Sequence, residues 1–129
     1  MARQALQLGK HFETTVPFSL GVISSGRTLH TAGITARDAN GEVVGAGDMR
    51  TQVSQCFANL ADILKAAETS FERVVKFTIF TTDIDRFNSD TRDIRFPYFS
   101  GRPAATLVEV SKLVDPRMLV EIEAIVSLD

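Results

Sequence analysis

An α+β fold is what this sequence predicts: one β-sheet with two helices packed on one of its faces, in the order β-β-(β)-α-β-α-β-β. Three observations point there. A long segment between Asp48 and Ser70 has helical apolar spacing, a β-branched and aromatic run from Arg73 to Thr82 follows it, and two alternating segments close the chain. With 129 residues, 44% of them hydrophobic and 23% charged, the chain has the size and apolar content of one domain, residues 1–129, around one core.

The elements follow in order. PFSLGVIS (Pro17 to Ser24) and TLHTAGI (Thr28 to Ile34) are strand-like, and the intervening SGR supplies a glycine for a tight turn, so a β-hairpin is expected. In DANGEVV the Asn40-Gly41 pair predicts a type I′ turn followed by a short strand. Along DMRTQVSQCFANLADILKAAETS, Val53, Phe57, Leu60 and Leu64 step by four and three residues, Met49, Cys56 and Ile63 widen the stripe, and Asp48 is placed to cap the helix. RVVKFTIFTT reads as a central strand. A second helix is expected from about Arg86 to Arg95, entered at Asp83 or Asp85 and stopped near Pro97. ATLVEVSKL and MLVEIEAIVS are the final strands, on either side of a turn at VDPR.

Alternation along the last strand puts Val120, Ile122, Ala124 and Val126 on one face and Leu119, Glu121, Glu123 and Ile125 on the other. If the helices cover the face of Val108, Val110, Val120, Ile122 and Ala124, the other face shows Leu107, Leu113, Leu119 and Ile125 around Glu109, Glu121 and Glu123. Such a half-apolar face predicts contact with another copy of the chain, and acids within it are either paired or functional.

Composition excludes several classes. A formal charge of −2 without a dominant basic stripe argues against a nucleic-acid partner, and Arg92, Arg95 and Arg102 read as a solvated basic cluster. The first residues lack a continuous apolar segment and no run approaches membrane-spanning length, so a cytoplasmic protein without a membrane partner is expected. The single cysteine, Cys56, rules out an internal disulfide and reads as a buried hydrophobe. With His11 and His30 it lacks metal-ligand spacing, so no metal is expected.

The segment RPAATLVEVSKLVDPRMLVEIEAIV resembles the C-terminal signature of the reactive intermediate deaminase family, RidA/YjgF. There Pro-Ala-Arg-(Ser/Thr) opens the penultimate strand and (Val/Ile)-Glu-Ile-Glu-Ala makes the last. VPFSLGV, LHTAGI and FERVVKFTIFTTDIDRFN extend the resemblance over nearly the whole chain. It implies a chorismate-mutase-like α+β protomer and a homotrimer whose sheets form an inner β-barrel, with sites in the clefts between subunits. The implied activity is hydrolysis of reactive enamines and imines, such as 2-aminoacrylate, to 2-keto acids and ammonia, a detoxification needing no metal or organic cofactor.

An imine carbon is already electrophilic, so catalysis requires holding the substrate carboxylate, placing a water and managing one proton. The resemblance implies that Glu121 positions the water, that Gly33 and Thr106 contribute to the pocket, and that Asn88 lies near it. Gly33 on its own residues is either a close-approach point or a bulge. The sequence departs from the signature at Ala105, where the family carries its carboxylate-clamping arginine, and Phe18 stands where many members have a tyrosine. Arg102 and Arg117 are the candidate replacement cations. Three functions follow: deamination of a small reactive metabolite with an altered substrate, ligand binding without catalysis, and RNA cleavage, against which the acidic charge argues.

Overall fold

The β-branched run expected to be central is flanked on both sides. In the computed structural model, which describes residues 2–129, β4 (Val74–Thr81) pairs antiparallel with β6 (Val120–Ser127) and parallel with β5 (Ala104–Glu109). β3 (Thr28–His30) adds antiparallel to the far side of β6, giving the order β3-β6-β4-β5. A parallel neighbour requires a crossover. The chain between β4 and β5 supplies it with α2 (Ile84–Asp90), α3 (Arg92–Arg95) and a 3₁₀ turn at Phe96–Phe99.

The predicted long helix is α1 (Met49–Ala66), and Asp48 caps it, accepting the Thr51 N–H at 3.2 Å. Its apolar stripe of Val53, Phe57, Leu60 and Leu64 is buried in one cluster with Phe77, Ile79, Val120 and Ile122. Phe57 is the hub, stacked on Tyr98 at 4.3 Å and edge-on to Phe77 at 5.9 Å. Gln52, fully buried in this stripe, accepts the Leu119 N–H and donates to the Val44 and Arg117 carbonyls, fixing the turn that leads into β6. No helix among the described residues is long and apolar enough to cross a membrane.

Four expectations need correction. The hairpin of the first two predicted strands does not form: β2 (Gly21–Ser24) pairs instead with β1 (Arg3–Leu6) in a separate two-stranded sheet, while β3 joins β6. RQAL has no periodic apolar signal, and Arg3 anchors it by donating to the Val74 and Gly101 carbonyls. The turn in DANGEVV has only Gly41 at positive φ, +80°, with the Gly41 N–H on the Asp38 carbonyl, so it is not type I′, and a single bridge, Arg37 to Val43, replaces the short strand. The second helix is entered at Asp83 as expected, its carboxylate accepting the Arg86 N–H, but breaks at Thr91, whose buried hydroxyl donates to the Phe87 carbonyl at 2.6 Å.

The fourth correction concerns β5. Ala105 and Leu107 align with Phe77 and Ile79 and pack on the helix-covered core, whereas Val108 is 37% exposed. Leu107 and Glu109 thus lie on the covered side and Thr106 and Val108 on the open side, opposite to expectation. A one-residue phase change exchanges every side chain between faces. Glu109, at the strand's end, accepts the Ile84 N–H at 3.0 Å and so caps α2.

Candidate functional site

The helix-covered side of β5 holds a cavity of about 330 Å³. Arg102 builds one wall: its guanidinium donates to the Glu13, Val16 and Phe18 carbonyls at 3.0–3.1 Å, folding the segment before β2 over the start of β5. Phe18 thereby faces Ala105, Leu107 and Ile79 across the cavity. The crossover supplies the opposite wall through Phe87, Phe96 and Phe99, with Asn88, Arg92 and Arg95 as its polar members. Alanine at 105 adds only a methyl group to the sheet wall.

Arg95 is the unusual member, at 7% exposure. Its guanidinium carbon lies 4.9 Å from the Phe87 ring centre and 5.2 Å from that of Phe96, with Nε donating to the Thr91 hydroxyl and Nη2 to the Asn88 carbonyl and side-chain oxygens. Burial, and then the neighbouring Arg92 charge, lowers its pKa from the ordinary arginine value. It remains a cation at any physiological pH.

Glu121 lies elsewhere. It aligns with Phe80 of β4 on the open face of the sheet, and its carboxylate rests against Gly33: a Cβ added to Gly33 would lie 1.9 Å from Glu121 Oε2. Of the two readings of Gly33, the bulge is what the strand pairing shows, and the close neighbour is the Glu121 side chain. The chain bulges there, with the Thr31 hydroxyl accepting the Ala124 N–H at 3.0 Å before Ile34 resumes pairing with Ile122. Thr106, on the same face, accepts from Lys76 Nζ at 2.9 Å.

One chain thus brings Phe18, Asn88 and Ala105 together and leaves Glu121, Gly33 and Thr106 across the sheet. Neither candidate replacement cation offers its charge to the cavity. Arg102 binds backbone carbonyls, and Arg117 pairs with Asp115 in its own turn at 2.8 Å, an interaction whose hydrogen bonds pull the Asp115 carboxyl down to about 2. The cavity's buried cation was missed because Arg92 and Arg95 read as solvated. A signal was present: Arg92 and Arg95 are spaced like Phe96 and Phe99, three residues apart, within one short crossover. Cys56 is fully buried as expected, and burial, then the Glu121 charge, pushes its thiol up to about 12.

A mixed sheet with a helical crossover and a mostly apolar cavity beside it define a protein of the α+β class. The particular family is then plain: residues 8–128 match the family described as Endoribonuclease L-PSP, and the chain belongs to it, the Ribonuc_L-PSP or RidA/YjgF family. Among curated proteins, the chain is 34% identical over 127 residues to the 2-iminobutanoate/2-iminopropanoate deaminase of Bos taurus, covering 97% of this chain and 90% of that one. It is 37% identical over 105 residues to a RutC family protein of Pyrococcus horikoshii, covering 80% and 81%. Among solved structures, a conserved Rid family protein of unknown function from Yersinia pestis superposes with a TM-score of 0.86 at 31% identity, covering 98% of this chain and 99% of that one.

Proposed function

We propose that this chain is a hydrolase of a small enamine or imine, working as a homotrimer with Glu121 as its catalytic carboxylate. The observation that carries the reading is the placement of Glu121 against Gly33 on the sheet face opposite the buried core residues Val120, Ile122 and Ala124. In one chain the cavity and Glu121 lie on opposite faces, so a complete site takes the cavity of one copy and Glu121 of the next. Phe80, Val108 and Ile125, beside Glu121 and Glu123, are the apolar part of the face that the second copy covers. Phe18 and Asn88 bound the substrate, the small side chain of Ala105 leaves it room, and Gly33 and Thr106 edge the Glu121 side.

The chemistry balances without further reagents. An enamine first tautomerises to the imine. Glu121 takes a proton from water as its oxygen adds to the C=N carbon and passes it to the nitrogen, giving a carbinolamine. It then takes the hydroxyl proton and passes it to the amine as the C=O bond forms and the C–N bond breaks. Products are a carbonyl compound and ammonia. General base catalysis of this kind contributes roughly 10²–10⁴-fold.

The test is ammonia release from 2-aminoacrylate or 2-iminobutanoate generated in situ. Glu121→Ala is expected to lose about 100-fold or more while keeping its fold; equal rates, or no rate above buffer in the wild type, contradict the reading. Ala105 favours a second reading, ligand binding without turnover. A keto or amino acid that raises Tm while no imine is hydrolysed selects it.

A further inference from the structure

We propose that Arg95 holds a carboxylate in the cavity, and that the ligand is a one-ring aromatic, or similarly bulky apolar, carboxylic acid. The inference deepens the function proposed above, since it takes the cavity to be the substrate site and names the substrate class.

The charge balance around Arg95 comes first. Its three hydrogen bonds engage Nε and Nη2 with a hydroxyl, a carbonyl and an amide oxygen, none of them a carboxylate. The ion pairs among the described residues belong to Arg27, Arg50 and Arg117. Arg95, 7% exposed as a residue, thus lines a cavity with no carboxylate paired to it among the described residues. Taking such a charge out of water is costly unless it is paired. Contact with the Phe87 and Phe96 rings offsets part of that cost. Arg92, at the exposed mouth and 5.9 Å from the Phe96 ring centre, adds a second positive charge rather than a compensating one. An anion relieves both, and a guanidinium fork with Nη1 outside those three bonds suits a carboxylate.

The walls specify the rest of the ligand. Around the two arginines they are Phe18, Phe87, Phe96, Phe99, Ile79 and Leu107, and about 330 Å³ exceeds what a two-carbon or three-carbon acid fills. Ala105 opposite leaves the sheet wall clear for a ring. Recognition then has two parts: the cation selects the acid, and the aromatic walls select the ring.

Isothermal titration of the full chain with phenylacetate, phenylacetamide and acetate tests this. Wild type is expected to bind phenylacetate at least about tenfold more tightly than the neutral amide and than acetate. Arg95→Gln is expected to bring acid and amide within about twofold of each other. Equal binding of acid and amide by wild type, or an acid preference that survives in Arg95→Gln, overturns the proposal. Should Arg95→Gln fail to fold by circular dichroism, Ala105→Trp decides: filling the cavity from the sheet side is expected to abolish phenylacetate binding, and retained binding overturns the proposal. The ammonia assay separates the two ideas. Charge-selective binding without imine hydrolysis sinks only the function proposed above; Glu121-dependent hydrolysis with no acid preference sinks only this one.

Discussion

The two faces of the four-stranded sheet divide this protein's polar chemistry between them. On the covered face, Phe77, Ile79, Ala105, Leu107, Val120 and Ile122 meet the helices, and the polar chemistry there is a buried cation in an apolar cavity. On the open face, Lys76, Thr78, Phe80 and Thr106 surround Glu121 and Glu123, two acids with one lysine beside them. Strand alternation enforces the separation, because residues adjacent in sequence point to opposite sides. Arg95 and Glu121 can serve one ligand only if the covered-side cavity of one copy meets the open face of another.

Changes confined to one face test that division. The largest effect is expected at Phe57, the aromatic hub of the covered face: Phe57→Ala should lower unfolding free energy by about 3–5 kcal/mol in urea titrations. A loss below about 1 kcal/mol would mean that the Phe57–Tyr98–Phe77 packing does not hold that face together. Next is Arg102, whose three carbonyl contacts hold the cavity's first wall. Arg102→Met leaves those carbonyls without their donor, at a cost of about 1–3 kcal/mol, and should weaken phenylacetate binding in parallel. Unchanged affinity would show that the segment carrying Phe18 orders itself without Arg102.

On the open face, Gly33→Ala should separate stability from activity. Gly33 is not at positive φ, so the backbone tolerates alanine, but the new methyl occupies the place of the Glu121 carboxyl group. Imine hydrolysis is expected to fall about tenfold, with stability within about 1 kcal/mol of wild type. Full activity would mean that Glu121 need not rest where it does.

The last effect is a pH dependence that appears only in alkaline solution. The Cys56 thiol, ordinarily near 9.0, is raised to about 12 by burial. The unfolded chain therefore loses this proton first, so the contribution is complete below pH 9 and is lost as pH rises toward 12, at up to about 1.4 kcal/mol per unit. Cys56→Ala should flatten that limb of the stability curve. An identical alkaline limb in the variant would assign the loss to other groups.

Much of this was legible in the sequence, and the exceptions have physical causes. The stripe of α1, its Asp48 cap, the central β4 and the alternation of β6 were readable because one periodicity fits each and the alternative buries charge. The phase of β5 was not: in ATLVEV both faces carry apolar residues, and only pairing with Phe77 and Ile79 decides between them. β1 has four residues without a pattern and is held by Arg3, a tertiary contact. In the candidate site, Phe18, Asn88 and Ala105 line one cavity, while Glu121, Gly33 and Thr106 sit across the sheet from it. Arg95 was hidden because arginines are usually exposed, and its burial depends on a crossover that breaks at Thr91.

The central claim is that one site draws on both faces, one from each of two copies. Mixing two variants tests it most directly: Glu121→Ala keeps the cavity and lacks the acid, while Ala105→Trp keeps the acid and fills the cavity. Each alone should release almost no ammonia from imine. After co-refolding at equal amounts, about a quarter of the sites combine an intact cavity with an intact Glu121 if subunits assort at random, so about a quarter of wild-type activity should return. A mixture no more active than its separate components would contradict the account.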